Sequence, residues 1–346
     1  MSTLVPVQPM VAGPAAVYTR SNGVCDRLSS MLDKMRMVLK TPKLALLVVV
    51  VSLVGAACTS GSETVTAEGV TVVATTTILG DIAREIVGDK GSVEVLLPIG
   101  VDPHDFQPSS SQVVAIYQAD LVIANGLGLE GSLMDVLDAA SSDGVTVVAV
   151  GRRVEPVTLD RREPCEEDDE RTCDPHVWLD PERDASIARI IGDELVVVDG
   201  SVDWQMRADE YAADLVKTDE VVADILSTIP DPSKLLVTNH DSLGYFADRY
   251  GFDVVGTVIP GGSTLAEPSS ADLARMIAVI NETGTTAIFT ETSAPTALAE
   301  AIADEVEHDV AVIRLYTGSL GEPGSGADTL IGMLITNARL IADGLS

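Results

Sequence analysis

From residue 70 onward the chain alternates short, β-branched apolar runs with amphipathic stretches. The runs are TVVAT (71–75), VEVLL (93–97), LVIA (121–124), VTVVAV (145–150), LLVT (235–238), DVVGTV (253–258), TAIFT (286–290) and AVIRL (311–315). Near-continuous apolar runs of this length are what strands buried on both faces require. The stretches between them, such as LGDIAREIVGD and SSADLARMIAVINETG, carry apolar residues at helical spacing. Strand alternating with helix predicts an α/β protein. The eight runs fall into two groups of four. The expected fold is therefore two lobes, each a mainly parallel four-stranded sheet flanked by helices.

A long helical region separates the two groups. Asp180-Pro181-Glu182 reads as an N-cap, a proline in the first turn and an acidic start, and Gly200 reads as the stop. Residues 203–229 then run without Gly or Pro, with Trp204, Ala208, Tyr211, Leu215, Val222, Ile225 and Ile229 near helical period. Twenty-seven such residues make a helix of roughly 40 Å. That predicts one long, stiff connecting helix between the lobes.

Charge changes the picture at the N-terminus. Of 22 Lys/Arg and 53 Asp/Glu, residues 1–57 hold six and two, a net of +4 against −35 for the remainder. MRMVLKTPK (35–43) reads as a basic head and LALLVVVVSLVGAA (44–57) as the core of an export signal. At 14 residues that core is short of the ~20 a spanning helix needs. Small residues then precede Cys58, a junction resembling a bacterial lipobox, although Gly55 stands where Leu is usual; the alternative is an uncleaved N-terminal anchor. Both put the body of the protein outside the cytoplasmic membrane. The expected organisation is a signal region 1–57, within which 1–34 has no assigned role and a start at Met35 or Met37 would be more compact. A lipidated polar tether follows (58–69), then a first lobe (70–200), a connecting helix (201–230) and a second lobe (231–346). The net charge of −31 argues against nucleic acid, which calls for a basic face, and suits a cationic ligand.

Candidate chemistry centres on histidine. There are four in the chain, and two sit in the same frame, Asp-Pro-His, at 102–104 and 174–176. His104, His176 and His240 each follow a predicted strand or lie in a loop, and in open α/β sheets ligands sit beyond the carboxyl ends of strands. Two would come from the first lobe and one from the second. Three neutral imidazoles form a zinc-type donor set, with Asp102, Asp174 and Asp241 as candidate acceptors for the outer ring N–H groups. His308, in EVEHDV, has no such frame and reads as a surface residue. Cys165 and Cys173, eight apart in the acidic loop 163–174, read as a disulfide in an oxidising compartment, with a thiolate metal site as the weaker alternative. That loop has seven acidic residues and reads either as weak cation capture near a cleft or as a solvated loop.

GVDPHDFQPSSSQVVAIYQADLVIANGLGLE, DPHVWLDP, HDSLGYFADRYGF and LYTGSLGEPGSGADTLIGMLITNARLIADGL occur in the order found in one family. They resemble the zinc/manganese-binding lipoproteins of ABC importers, the TroA-like solute-binding proteins. The resemblance runs from about residue 70 to 346. It implies two α/β lobes bridged by a rigid helix and metal held between them by His104, His176 and His240. It further implies delivery to an ABC permease with its ATPase, and a lipid anchor at Cys58. The family commonly has Asp in LYTDSLG where this chain has Gly318. The fourth position is thus left to water, to Glu291 at the end of AIFTE or to a carboxylate of the acidic loop, with Asp328 a weaker candidate. Fewer oxygen donors favour Zn²⁺ over Mn²⁺. Competing readings are a His₃-zinc hydrolase with Glu291 as base, and a manganese-binding or adhesin-type lipoprotein.

Overall fold

A computed structural model describes residues 69–159, 163–165 and 173–346. The signal region, Cys58 and most of the acidic loop lie outside the described residues. The first sheet comprises β1 (Val70–Ala74), β2 (Gly91–Val95), β3 (Leu121–Ala124) and β4 (Val147–Ala149). The second comprises β5 (Leu235–Thr238), β6 (Asp253–Thr257), β7 (Ala287–Glu291) and β8 (Ala311–Leu315). All paired strands are parallel, in the orders β2-β1-β3-β4 and β6-β5-β7-β8. Each sheet therefore reverses its winding beside its first strand, which opens a crevice beyond the carboxyl ends of β1 and β3 and of β5 and β7.

Alternation along the strands explains how both faces are covered. Val72, Ala74, Leu121 and Ile123 of the first sheet and Leu236, Ala287 and Phe289 of the second face one continuous core shared by the two lobes. The intervening Val73 and Val122 face a second core under α2 (Ser110–Gln118) and α3 (Leu133–Ser142). Val237 and Ile288 do the same under α7 (Ser270–Thr283) and α8 (Ala297–Glu305). Period-two side chains on a buried strand require this two-sided covering.

Helices fill the space between the sheets. They are α1 (Thr77–Val87), α4 (Pro181–Asp199), α5 (Asp203–Leu226) and α9 (Leu330–Leu345). Asp180 caps α4, its carboxylate accepting the Glu182 N–H at 3.0 Å, and Gly200 ends it at φ 78°, a left-handed conformation that suits glycine. The α5 face bearing Trp204, Ala208, Tyr211, Leu215 and Val222 is buried in the shared core. The helix stops at Leu226, three residues short of the sequence expectation. Pro230 disfavours helical backbone at the residue before it, and the chain tightens to Thr228 N–H···O=C Ile225. The short α6 (Gly244–Tyr250) follows β5.

The lobes are also tied by polar contacts. Asp81 on α1 accepts from the Leu330 N–H of α9 (2.8 Å) and from the Tyr211 hydroxyl of α5 (3.3 Å). Arg249 on α6 pairs with Asp219 of α5 and with Asp180 and Glu182 at the start of α4. No helix among the described residues is long and apolar enough to cross a membrane.

Candidate metal centre

The three motif histidines converge. His104 sits in a single 3-10 turn, Pro103–Asp105, whose proline fixes the backbone and whose Asp102 cap accepts the His104 main-chain N–H at 2.9 Å. His176 precedes the 3-10 turn Val177–Leu179. Its segment is pinned by the Cys165–Cys173 disulfide, by Asn125 Nδ2 donating to the Pro175 carbonyl, and by the Tyr245 hydroxyl of the second lobe donating to the Asp174 carbonyl. His240 lies two residues beyond β5, where the Thr238 hydroxyl donates to its carbonyl at 2.7 Å. One donor atom from each of the three lies within 4.8 Å of the others. The rings stand 4.9–5.5 Å apart by centroid, and all are buried.

Hydrogen-bond partners fix which nitrogens face inward. The Asp174 carboxylate accepts from His176 Nδ1 at 2.8 Å, so the Nε2 of that ring carries the lone pair. Glu291 Oε1 abuts His240 Nδ1, which points the Nε2 of that ring at His176 as well. The two Nε2 atoms are 3.0 Å apart. Two nitrogens bound to one metal at about 2.05 Å with a tetrahedral angle would stand about 3.3 Å apart, close to the observed spacing. Two bare lone pairs at that distance repel, so a cation belongs between them, either a metal ion or a proton on His240.

Electrostatics agree with that choice. Burial, reinforced by the two neighbouring imidazoles, lowers His104 to about 3. Burial likewise holds His176 well below its ordinary value, with His240 adding to the effect. Burial would also lower His240, but the adjacent Glu291 carboxylate reverses this and raises it. Glu291 is pushed up by burial yet held at about 2 by His240 and the other two rings. Two imidazoles are thus kept neutral, as ligation requires, and the third shares its charge with a carboxylate.

The remaining candidates are placed as follows. Asp174 Oδ1 takes both the outer ring N–H and the main-chain N–H of His176, whereas Asp102 takes the main-chain N–H of His104 and, with its other oxygen, the Thr264 hydroxyl. The carboxylate at the outer nitrogen of His240 is that of Glu291; Asp241 donates its main-chain N–H to the Gly261 carbonyl. Gly318 lies at the rim: a Cβ there would stand 3.3 Å from Pro103 Cδ and 3.8 Å from Glu291 Oε2. Asp328 accepts the Gly324 N–H within its own loop, and His308 donates to the Thr285 carbonyl far from the cluster.

Sequence reasoning missed several supports. Trp178 donates from Nε1 to the Thr317 carbonyl across the lobes at 2.7 Å and lays its ring 5.4 Å from that of His176. Glu130, fully buried, accepts from the Asn125 and Gly126 N–H groups and from the Thr75 hydroxyl, and so shapes the loop after β3. The signal for Glu130 was a lone acid closing the apolar NGLGLE; that for Trp178 was its place in DPHVWLDP, two residues after His176.

Comparison with known proteins places this geometry. Residues 72–344 match the family model described as ZnuA, the zinc-uptake complex component A, periplasmic. The chain belongs to this family. It is a family of substrate-binding proteins serving metal importers, not of enzymes. The chain is 32% identical over 304 residues to the manganese-binding lipoprotein MntA of Halalkalibacterium halodurans, covering 86% of this chain and 97% of that protein. It is 30% identical over 293 residues to the zinc-binding protein TroA of Treponema pallidum, covering 83% and 92%. The solved structure of periplasmic zinc-binding TroA superposes with a TM-score of 0.73 at 31% identity, over 80% of this chain and 99% of that one. The two-lobe architecture is that of TroA.

Proposed function

We propose that the protein captures zinc outside the cytoplasmic membrane and hands it to an ABC permease driven by its ATPase. The observation that carries this reading is the triad of buried imidazoles, His104, His176 and His240, with donor atoms within 4.8 Å. Zinc favours nitrogen donors in a tetrahedral set, whereas manganese favours more oxygen. Glu291 acts through His240, orienting its ring and balancing the charge of the ion. Gly318 brings no side chain to the fourth position, which water completes. The metal is cargo, so the site has only to bind, shield and release. A second reading, manganese, is favoured by the name of the MntA relative and by the Glu291 carboxylate at the cluster.

The expected organisation supports delivery at a membrane. Cys58 is proposed as the lipid attachment point, with residues 58–69 as a tether to lobes at 70–200 and 231–346 joined through 201–230. The MntA relative is named a lipoprotein and the family is described as periplasmic. Elemental analysis of the protein purified from its own cells without added metal or chelator tests the metal assignment, because raw affinity favours zinc over manganese at almost any nitrogen and oxygen site. Zinc in the site supports it; manganese replaces it with the second reading.

A further inference from the structure

The three donors are held in place by partly different means. His240 is fixed through its ring by Glu291, and His176 through both its ring and its main-chain N–H by Asp174 Oδ1. His104 is fixed through its main chain, where Asp102 Oδ1 accepts its N–H at 2.9 Å. The other oxygen of Asp102 does not stay in the first lobe. Asp102 Oδ2 accepts a hydrogen bond from Thr264 Oγ1 at 2.5 Å, across 162 residues and from the opposite lobe. One carboxylate therefore joins the turn that carries the first donor to the loop that follows β6.

That loop also covers the open side of His104. A cavity of about 240 Å³ borders His104 and is lined by Leu127, Leu159, Cys173, Gly262 and Leu265. Leu159 of the first lobe packs so closely on Gly262 that a Cβ at 262 would lie 2.5 Å from Leu159 Cδ2. Asp241 holds the same loop down by donating its N–H to the Gly261 carbonyl. The mouth beside His104 is thus bounded by residues of both lobes, and Thr264 is the polar link across it.

We propose that Thr264 is a positioning residue for metal retention. Its bond to Asp102 ties the His104 turn to the second lobe, so that His104 holds its donor position only while the loop 259–265 is seated. Release of the ion through the cavity requires this bond to break. The hydroxyl touches no donor ring; it acts through Asp102 on the backbone of His104. The proposal rests on the metal-capture reading above.

Thr264→Val removes the hydroxyl and preserves the branched shape. Thr264→Ser restores the hydroxyl with less bulk. The experiment loads the purified chain with Zn²⁺, follows transfer to an excess of a colorimetric chelator by stopped flow, and records metal stoichiometry and metal-free melting temperature for each variant. The expected result is one bound ion in every variant, release from Thr264→Val accelerated about tenfold, and release from Thr264→Ser within threefold of wild type. Melting of the metal-free forms is expected to agree within a few degrees. In a double-mutant cycle with Asp102→Ala, which leaves the Thr264 hydroxyl no partner at position 102, the valine change is expected to add nothing to the rate. Acceleration below fivefold, failure of serine to restore the rate, or full additivity with Asp102→Ala overturns the proposal while leaving metal capture intact. Failure of the wild-type chain to bind Zn²⁺ overturns both.

Discussion

Replacing His104 with alanine isolates the claim that three imidazoles hold one ion. His104 suits the test because its turn is organised by main chain: Pro103 fixes the backbone and Asp102 accepts the His104 N–H, contacts that alanine keeps. The ring borders a solvent-sized cavity of about 240 Å³, so its loss adds little void that water cannot fill. The fold should therefore survive with a change in metal-free stability on the order of 1 kcal/mol. The effect on binding is larger. Structural zinc sites are worth about 10–16 kcal/mol over four ligands, or about 2.5–4 kcal/mol for each. That converts to about 10²–10³-fold in Kd. Competition calorimetry against a chelator of known affinity reads this directly. Melting with and without Zn²⁺ gives an independent check, because stabilisation by ligand scales with the logarithm of saturation. One ion bound by His104→Ala at wild-type affinity would refute the reasoning, since the cluster would then not be where the ion sits.

Further outcomes follow from the same geometry. Glu291→Gln keeps the shape but removes the charge at His240 Nδ1; it should weaken Zn²⁺ binding at pH 7.5 by about 10–100-fold, measured by competition titration, and an unchanged Kd would exclude a role for that carboxylate. Metal affinity should fall about tenfold per pH unit on acidification below pH 6. There His240, raised above its ordinary value, holds the proton the ion must displace, while His104 at about 3 adds a second proton only in stronger acid. A pH-independent Kd between pH 4.5 and 6 would contradict that exchange. Asp184 is fully buried in α4 with neither carboxylate oxygen hydrogen-bonded, and burial holds its proton well above the usual carboxylate range. Its contribution to stability is therefore greatest in acid and declines as pH rises from its ordinary 3.8 toward the folded-state value. Asp184→Asn should remove this decline and stabilise the chain at pH 8 by about 1–3 kcal/mol but little at pH 4, as read by urea denaturation; equal effects at both pH values would contradict it.

The readable part of the sequence was the part whose physics is local. Two-sided burial makes each strand an apolar run, so the eight strands and their grouping were legible. Strand frames drifted by a residue or two where pairing decides them: β2 is Gly91–Val95 because it aligns Gly91 with Val70 and Val95 with Ala74. Asp180, Pro181 and Gly200 announced α4 because caps are chemical signals within a few residues. His104 and His176 stood out through a repeated proline-stiffened frame, His240 through its place just after an apolar run, and Glu291 through its place at a strand end. Trp178 and Tyr245 lie inside the quoted motifs and Thr264 in none, but the roles of all three were hidden, since their partners Thr317, Asp174 and Asp102 lie 139, 71 and 162 residues away. The assignment of carboxylates to rings was equally hidden. Asp102 and Asp174 stand in the same frame and each accepts the main-chain N–H of the histidine two residues on, yet Asp174 also takes its histidine's ring Nδ1, whereas the second oxygen of Asp102 reaches Thr264 in the opposite lobe.

Counting the ligands of the bound ion tests the central claim most directly. Protein purified without added metal or chelator, assayed by elemental analysis and by X-ray absorption at the edge of the metal found, should contain one divalent ion per chain. That ion should show outer-shell scattering from three imidazoles, and the signal should be lost when His104, His176 and His240 are replaced together. A metal-free chain that also fails to bind added Zn²⁺ or Mn²⁺, or an ion whose spectrum carries no histidine scattering, would contradict the account.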